Sequence, residues 1–167
     1  MVSDDKRQAY EKTILDNVEQ HGWFCASVFD PDKKLPNFSY TVGLSETLGC
    51  PELFIAGLPM KLTHSILWTA FEHIKAGKLP EPDEPWKDIL DGYDMVYRPV
   101  HSSQIETDYF NSARWFWNTQ KGNSAPLKAN QLFWPSGETS LFPWDEGCEA
   151  DVIADQPRLD LPRTEGA

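Results

Sequence analysis

Basic residues are scarce and scattered. The 167-residue chain has 15 Lys and Arg against 26 Asp and Glu, a formal net charge of −11. A nucleic-acid binder neutralises phosphates with clustered cations, so no nucleic-acid partner is expected. The same deficit disfavours an anionic membrane surface. No apolar run approaches the ~20 residues that span a bilayer. The N-terminal MVSDDKRQAY lacks the apolar stretch of a signal peptide. A cytoplasmic protein with no membrane role is expected.

Cysteine is also sparse. Cys25, Cys50 and Cys148 are odd in number and widely spaced, with no CxxC. This fits free thiols in a reducing compartment. His21, His64, His73 and His101 form no HxH or HExxH pair, so no metal site is expected. No GxSxG, GxxxxGK or GxGxxG occurs. That removes the hydrolase elbow and the common phosphate cradles, and no cofactor is expected.

What is present is a core-forming sequence. Hydrophobic residues make up 40%, aromatic residues 13%, and there are seven Trp. One domain of ordinary size can bury such a set. The stretch Phe38–Pro59, FSYTVGLSETLGCPELFIAGLP, is apolar and punctuated by glycine, with Glu46 and Glu52 as its charges. It reads as two strands leading to a helix.

Residues 4–20 form an amphipathic helix on the spacing of Tyr10, Ile14, Leu15 and Val18, capped by Ser3 and stopped at Gly22. Strands are expected at 23–30, 38–44 and 52–57. The first two pair antiparallel, and the third is apolar enough to be buried on both faces. A helix runs from Met60 to Gly77. Residues 77–94 are loop-like and acidic, with room for a short helix over Trp86–Leu90. Met95–Val100 is a strand. Ser103 and Glu106 form a capping box for a helix to Gln120, with Trp115 pointing away from its apolar face. Leu127–Trp134 is the last strand. The expected fold is α+β: one domain over 1–150, about five strands in an antiparallel or mixed sheet, and three main helices. Residues 151–167 read as a polar, partly disordered tail.

Six strings stand in order along the chain: His21-Gly22-Trp23, Tyr40-Thr41-Val42-Gly43-Leu44, Pro51-Glu52-Leu53, Gly57-Leu58-Pro59, Gln131-Leu132-Phe133-Trp134-Pro135 and Phe142-Pro143-Trp144-Asp145. Together they resemble the bacterial domain of unknown function 4262 family over roughly residues 15–147. The resemblance implies an α+β domain in a bacterial or phage cytoplasm, and carries no catalytic residues with it. Many members have His before the Pro-Glu-Leu string, where this chain has Cys50. A looser analogy, at the level of fold alone, is the split-barrel flavin reductase. It lacks a phosphate clamp here, because no Lys or Arg falls between Lys34 and Lys61.

Two functions follow from different features. The first is a protein-binding module of the inhibitor or immunity type that caps a basic protein partner. Trp68 and Trp115, off their apolar faces, and the acids Glu81, Asp83 and Glu84 are its interface candidates. The second is a small-ligand-binding protein or enzyme. Its pocket would draw on His21, Tyr40, Thr41, Glu52, Trp134, Trp144 and Asp145, with His21 or Glu52 as acid or base. Cys50 beside a histidine would make a nucleophile, but an inert thiol is the commoner use of such a residue. No catalytic residue is assigned, and nothing in the sequence sets an oligomeric state.

Overall fold

The computed structural model describes residues 3–164. The elements in order are α1 (Asp4–His21), β1 (Phe24–Val28), β2 (Phe38–Val42), α2 (Leu44–Leu48), β3 (Glu52–Ala56), α3 (Met60–Lys75), β4 (Trp86–Leu90), β5 (Tyr93–Pro99), α4 (Ser102–Ile105), α5 (Asn111–Arg114), β6 (Ala129–Phe133) and α6 (Ala150–Asp155). A 3-10 turn at Asp108–Phe110 precedes α5, and a π-helical turn at Trp115–Gln120 follows it.

The fold is α+β with a mixed six-stranded sheet, in the order β1-β2-β3-β6-β5-β4. β3 and β6 run parallel at its centre, and the other pairs are antiparallel. Every residue of β3 and β6 is buried. The period of two along a strand then divides the core. Phe54 and Ala56 join Tyr40, Val42, Ile14 and Phe110 on one face. Leu53 and Ile55 join Ile66, Leu67, Phe71 and Met95 on the other. Helical segments cover both faces: α1 and residues 102–120 on the first, α3 on the second.

Local chemistry sets the ends of α1 as expected. Ser3 Oγ accepts from the Lys6 N–H, and Gly22 takes a left-handed φ of 89° while its N–H closes on the Val18 carbonyl.

Several expectations are corrected. Trp86–Leu90 is a strand rather than loop or helix. It pairs with β5 through a two-residue Asp91-Gly92 turn, the pairing that Asp-Gly favours. A register shift lies within it, with Asp88 at φ 69°. That bulge buries Trp86 and Ile89, three residues apart, so the alternation that marks a strand is lost.

The Ser103–Glu106 capping box does not form. His101 is the N-cap, its side chain accepting from the Ser103 N–H, and α4 stops after one turn. The helix expected to reach Gln120 is four short pieces. The wide π turn, closed by Lys121 N–H to the Phe116 carbonyl at 3.0 Å, abandons the 3.6-residue period. Trp115 consequently packs half-buried against the first core face instead of pointing outward.

Nor is residue 151 onward simply a tail. α6 is folded, and Gln156 and Leu159 are buried. The last residues of that segment, 165–167, lie outside the described residues.

Candidate functional site

Glu52 opens β3 and is 1% exposed. Its Oε1 accepts from Thr41 Oγ1 at 2.8 Å and from the Leu44 N–H at 3.0 Å, and its Oε2 from the Ser45 N–H at 2.8 Å. Gly43 precedes α2 and has no side chain to cap it. The Glu52 carboxylate replaces that cap from a neighbouring strand, where the helix N-terminus favours negative charge. Thr41 Oγ1 in turn accepts from the Leu53 N–H at 2.8 Å. Burial pushes the Glu52 carboxyl up, against the pull of the bonds from Ser45, Thr41 and Leu44. Glu52 and Thr41 are thus brought together, with their bonding directed into the protein.

Tyr40 lies on the opposite face of β2. Its hydroxyl accepts from the Ser112 N–H at 3.0 Å, and Tyr10 and Ser112 hydroxyls meet at 3.0 Å beside it. Trp134 sits at the end of β6, its Nε1–H donating to the Ala56 carbonyl at 2.7 Å. Trp144 stacks on Phe142 and stands edge-on to Phe133. Asp145 closes the same turn, accepting from the Phe142 N–H at 2.8 Å. His21 is exposed at the end of α1, 5.9 Å between rings from Trp68. The seven candidates are not gathered into one pocket: Thr41 and Glu52 bond to each other, Trp144 and Asp145 share one turn, and Tyr40 lines the largest of the three clefts below.

Trp68 is 42% exposed and forms an aromatic cluster with His21, Trp23 and His64. Glu81, Asp83 and Glu84 are exposed before β4. Asp83 binds Arg98 Nε at 2.6 Å. The Arg98 guanidinium lies 3.5 Å over the Trp144 ring and reaches Asp160 at 3.3 Å. Arg158 grips Asp160 through Nε and Nη2 at 2.8 and 2.7 Å. Burial would raise the Asp160 carboxyl, but Arg158 and Arg98 hold it below its ordinary value. The cluster joins an interface candidate, Asp83, to a pocket candidate, Trp144, through an arginine that sequence reading passed over.

Two buried glutamines fasten the C-terminal segment. Gln131 donates to the Pro157 carbonyl at 2.6 Å and accepts from the Leu159 N–H at 2.9 Å. Gln156 exchanges both bonds with the main chain of Trp134, at 3.0 and 2.9 Å. Each side-chain amide replaces a peptide group where no strand is paired. In sequence both look like ordinary surface glutamines.

Three clefts among the described residues bear on the site. One of about 420 Å³ lies between the β4–β5 hairpin and the 135–142 turn, lined by Tyr93, Asp94, Val96, Pro135 and Phe142 among others. Tyr93 OH donates to the Gly137 carbonyl across it, at 3.4 Å. This seam unites two acidic segments: residues 81–94 carry six acids and residues 138–155 six more, with Lys87 the one cation in both. The second, about 380 Å³, includes Cys25, Lys61 and His64. The third is a groove of about 1070 Å³ between α1, the β1–β2 edge, residues 104–112 and residues 157–164. The Asp91-Gly92 turn is the sequence signal that could have exposed the hairpin and its seam.

Nucleophile chemistry finds little support at the thiols. Burial pushes Cys50 up to about 11, with Glu52 adding to the effect. Burial also raises Cys25 and Cys148. Among the described residues no group of three or more His, Cys, Asp or Glu is placed to hold a metal ion, and no helix is long and apolar enough to cross a membrane.

No curated protein and no solved structure matches the chain. The family model described as Domain of unknown function (DUF4262) matches residues 17–149. With that match covering most of its length, the chain belongs to this family.

Proposed function

We propose that the protein is a non-catalytic binding module that caps a basic protein partner, in the manner of an inhibitor or immunity protein, in a bacterial or phage cytoplasm. The observation that carries the reading is the acidic seam. Two segments about fifty residues apart in sequence meet at Tyr93 and Gly137 and enclose a cleft lined by Val96, Pro135 and Phe142 together with Tyr93, Asp94 and Ser140. Rings and aliphatic surface supply contact area, while the surrounding acids select for positive charge and speed encounter. Glu81, Asp83 and Glu84 precede Pro85, which lines the cleft, and are the acids offered to the partner. The inward bonding of Glu52 and the raised thiols favour binding over catalysis.

The test is native mass spectrometry of protein purified from its host at low ionic strength, with the variant Asp91→Lys/Asp94→Lys/Glu138→Lys alongside. The expected result is a copurifying basic protein that high salt releases and the variant does not retain. A partner held equally by the variant would sink the reading.

A second reading, a small-ligand site, is favoured by one specific observation. The groove of about 1070 Å³ places Tyr40, Tyr109 and Ser112 on a common surface, and pockets of this size hold drug-sized ligands.

A further inference from the structure

The two ends of the sheet are finished differently. β4 closes one end with features that keep an edge strand from pairing. Lys87 and Asp88 are exposed on it, and a register shift with Asp88 at φ 69° breaks its ladder. β1 closes the other end and has none of these. Phe24–Val28 contains no charged residue and no proline, and its register with β2 is unbroken from Phe24↔Val42 to Val28↔Phe38.

The direction of its unpaired main-chain groups follows from β2. The Gly57 N–H bonds to the Asn37 carbonyl at 2.8 Å, so Asn37, Ser39 and Thr41 turn their main chain towards β3. Phe38, Tyr40 and Val42 then turn theirs towards β1, where they meet Val28, Ala26 and Phe24. The N–H and C=O groups of Cys25 and Ser27 are left pointing off the sheet. No turn or loop among the described residues bonds to them. Two donors and two acceptors in line are a template for another strand.

This edge is the floor of the cleft of about 380 Å³. Cys25 and Ser27 line it with Asn17 of α1 and Lys61 and His64 of α3. α1 and α3 cover opposite faces of the sheet, so a cleft that touches both wraps round the end of the sheet. The β1 of a second copy would be sunk between its own two helices, and two such edges cannot meet. An extended segment without flanking helices can enter. The walls also select charge. The lining includes Lys61 and His64 and no acid, in a chain of net charge −11. Lys61 takes part in none of the ion pairs among the described residues. Side chains alternate along β1: Phe24 and Ala26 belong to the α1 face, Cys25 to the α3 face, and Ser27 bonds through Ser39 towards Thr63 of α3. A strand paired here therefore sets alternate side chains on the side of Lys61 and His64, and those between them on the side of Phe24.

We propose that the β1 edge binds an extended peptide segment of a partner protein as a seventh strand, with acidic residues at alternate positions of that segment. The main chain of Cys25 and Ser27 holds its backbone, Lys61 and His64 take its carboxylates, and an apolar residue between the acids rests opposite Ala26. The site lies at the far end of the sheet order from the acidic seam beside β4, and does not depend on that reading.

Residue-resolved NMR titration of the full chain tests it. The probe is a capped peptide of alternating Val and Glu, and its counterpart has Lys for Glu. The acidic peptide should shift the amide resonances of Cys25 and Ser27 saturably and slow their hydrogen exchange. It should bind at this edge about tenfold tighter than the Lys counterpart, as two exposed ion pairs allow. Following Cys25 and Ser27 themselves keeps binding of the Lys peptide at the seam out of the comparison. Lys61→Glu should remove the preference for the acidic peptide. Ser27→Pro deletes an N–H that the sheet does not use and should abolish binding at the edge. If that variant fails to fold, acidic peptides N-methylated on one or the other set of alternate amides make the same test on the unaltered protein, and one set alone should lose binding. Equal affinity of the Lys counterpart at Cys25 and Ser27 would overturn the acidic assignment. Full affinity for a folded Ser27→Pro variant, or for both methylated peptides, would overturn the strand pairing. A dimer by sedimentation that Ser27→Pro abolishes would overturn the proposal in favour of a second copy. No shift at Cys25 and Ser27 with either peptide would overturn it outright and leave the seam reading standing.

Discussion

Replacing Glu52 by alanine removes the N-terminal cap of α2. In the folded protein that carboxylate serves the Thr41 hydroxyl and the Leu44 and Ser45 N–H groups. The hydroxyl can turn elsewhere, but the two backbone donors are left bare. Each buried donor without an acceptor costs about 1–3 kcal/mol, so Glu52→Ala should lose about 2–6 kcal/mol, a large part of the stability of an ordinary domain. Glu52→Gln separates bonding from charge. Its carbonyl can still serve Leu44 and Thr41, while its NH₂ faces the half-buried Ser45 N–H. It should therefore lose less, about 1–3 kcal/mol near neutral pH.

The pH dependence distinguishes a buried charge from mere packing. Burial raises the Glu52 carboxyl in the folded state, so the folded protein holds that proton more tightly than the unfolded chain. The group's contribution is present below the ordinary carboxylate range and is lost as pH rises through its raised folded value. Glu52→Gln has no such proton, and its stability should decline less over that interval. Urea unfolding followed by tryptophan fluorescence at a series of pH values measures both quantities. If Glu52→Gln matched the unaltered protein in midpoint and in pH slope, the capping argument would be falsified.

Other perturbations test other parts of the structure. Asp160→Asn leaves Arg98 and Arg158 without their shared carboxylate, whose side chain is 7% exposed. The loss should be about 2–4 kcal/mol, read by denaturant unfolding, and the unaltered protein should lose this contribution as pH falls through the lowered Asp160 value; an unchanged midpoint would count against the clamp. Gly57→Ala puts a Cβ 2.5 Å from the Asp155 carbonyl oxygen at a φ of +87°, so a fall in melting temperature and faster proteolysis of the 150–164 segment are expected. Cys50, pushed up to about 11, should react with iodoacetamide slowly at neutral pH and faster as pH climbs beyond the ordinary thiol range; rapid labelling at neutral pH, located by mass spectrometry, would contradict the burial argument.

The elements carried by local chemistry were legible in the sequence. α1 was readable because Ser3, the Ile14–Val18 stripe and Gly22 act within a few residues of one another. β3 was readable because a strand buried on both faces leaves a continuous apolar run. The strings that carried the family resemblance find structural uses: Gly22 ends a helix, Glu52 caps one, and Gly57 lets α6 and Trp134 approach. β4 was illegible because its bulge spoiled the alternation, although Asp91-Gly92 marked its turn. The four pieces between Ser102 and Gln120 were illegible because the π turn changes the helical period midway, which also misplaced Trp115. Of the residues expected around one pocket, Tyr40 lines a groove, Glu52 bonds inward to Thr41 and the start of α2, Trp134 bonds to the Ala56 carbonyl, and Trp144 packs on Phe133 and Phe142.

The sequence by itself determined that the chain is acidic, poor in clustered cations, free of common catalytic signatures, and rich enough in apolar residues for an α+β domain. Those properties depend on composition and on neighbours along the chain. Only the tertiary structure decided that two acidic stretches flank one cleft, that Gln131 and Gln156 anchor the C-terminal segment, and that Tyr10, Tyr40 and Ser112 meet through hydrogen bonds. Each of these depends on strand order and on which side chains are withdrawn from water together, and such contacts join residues whose separation in sequence bears no relation to their separation in space.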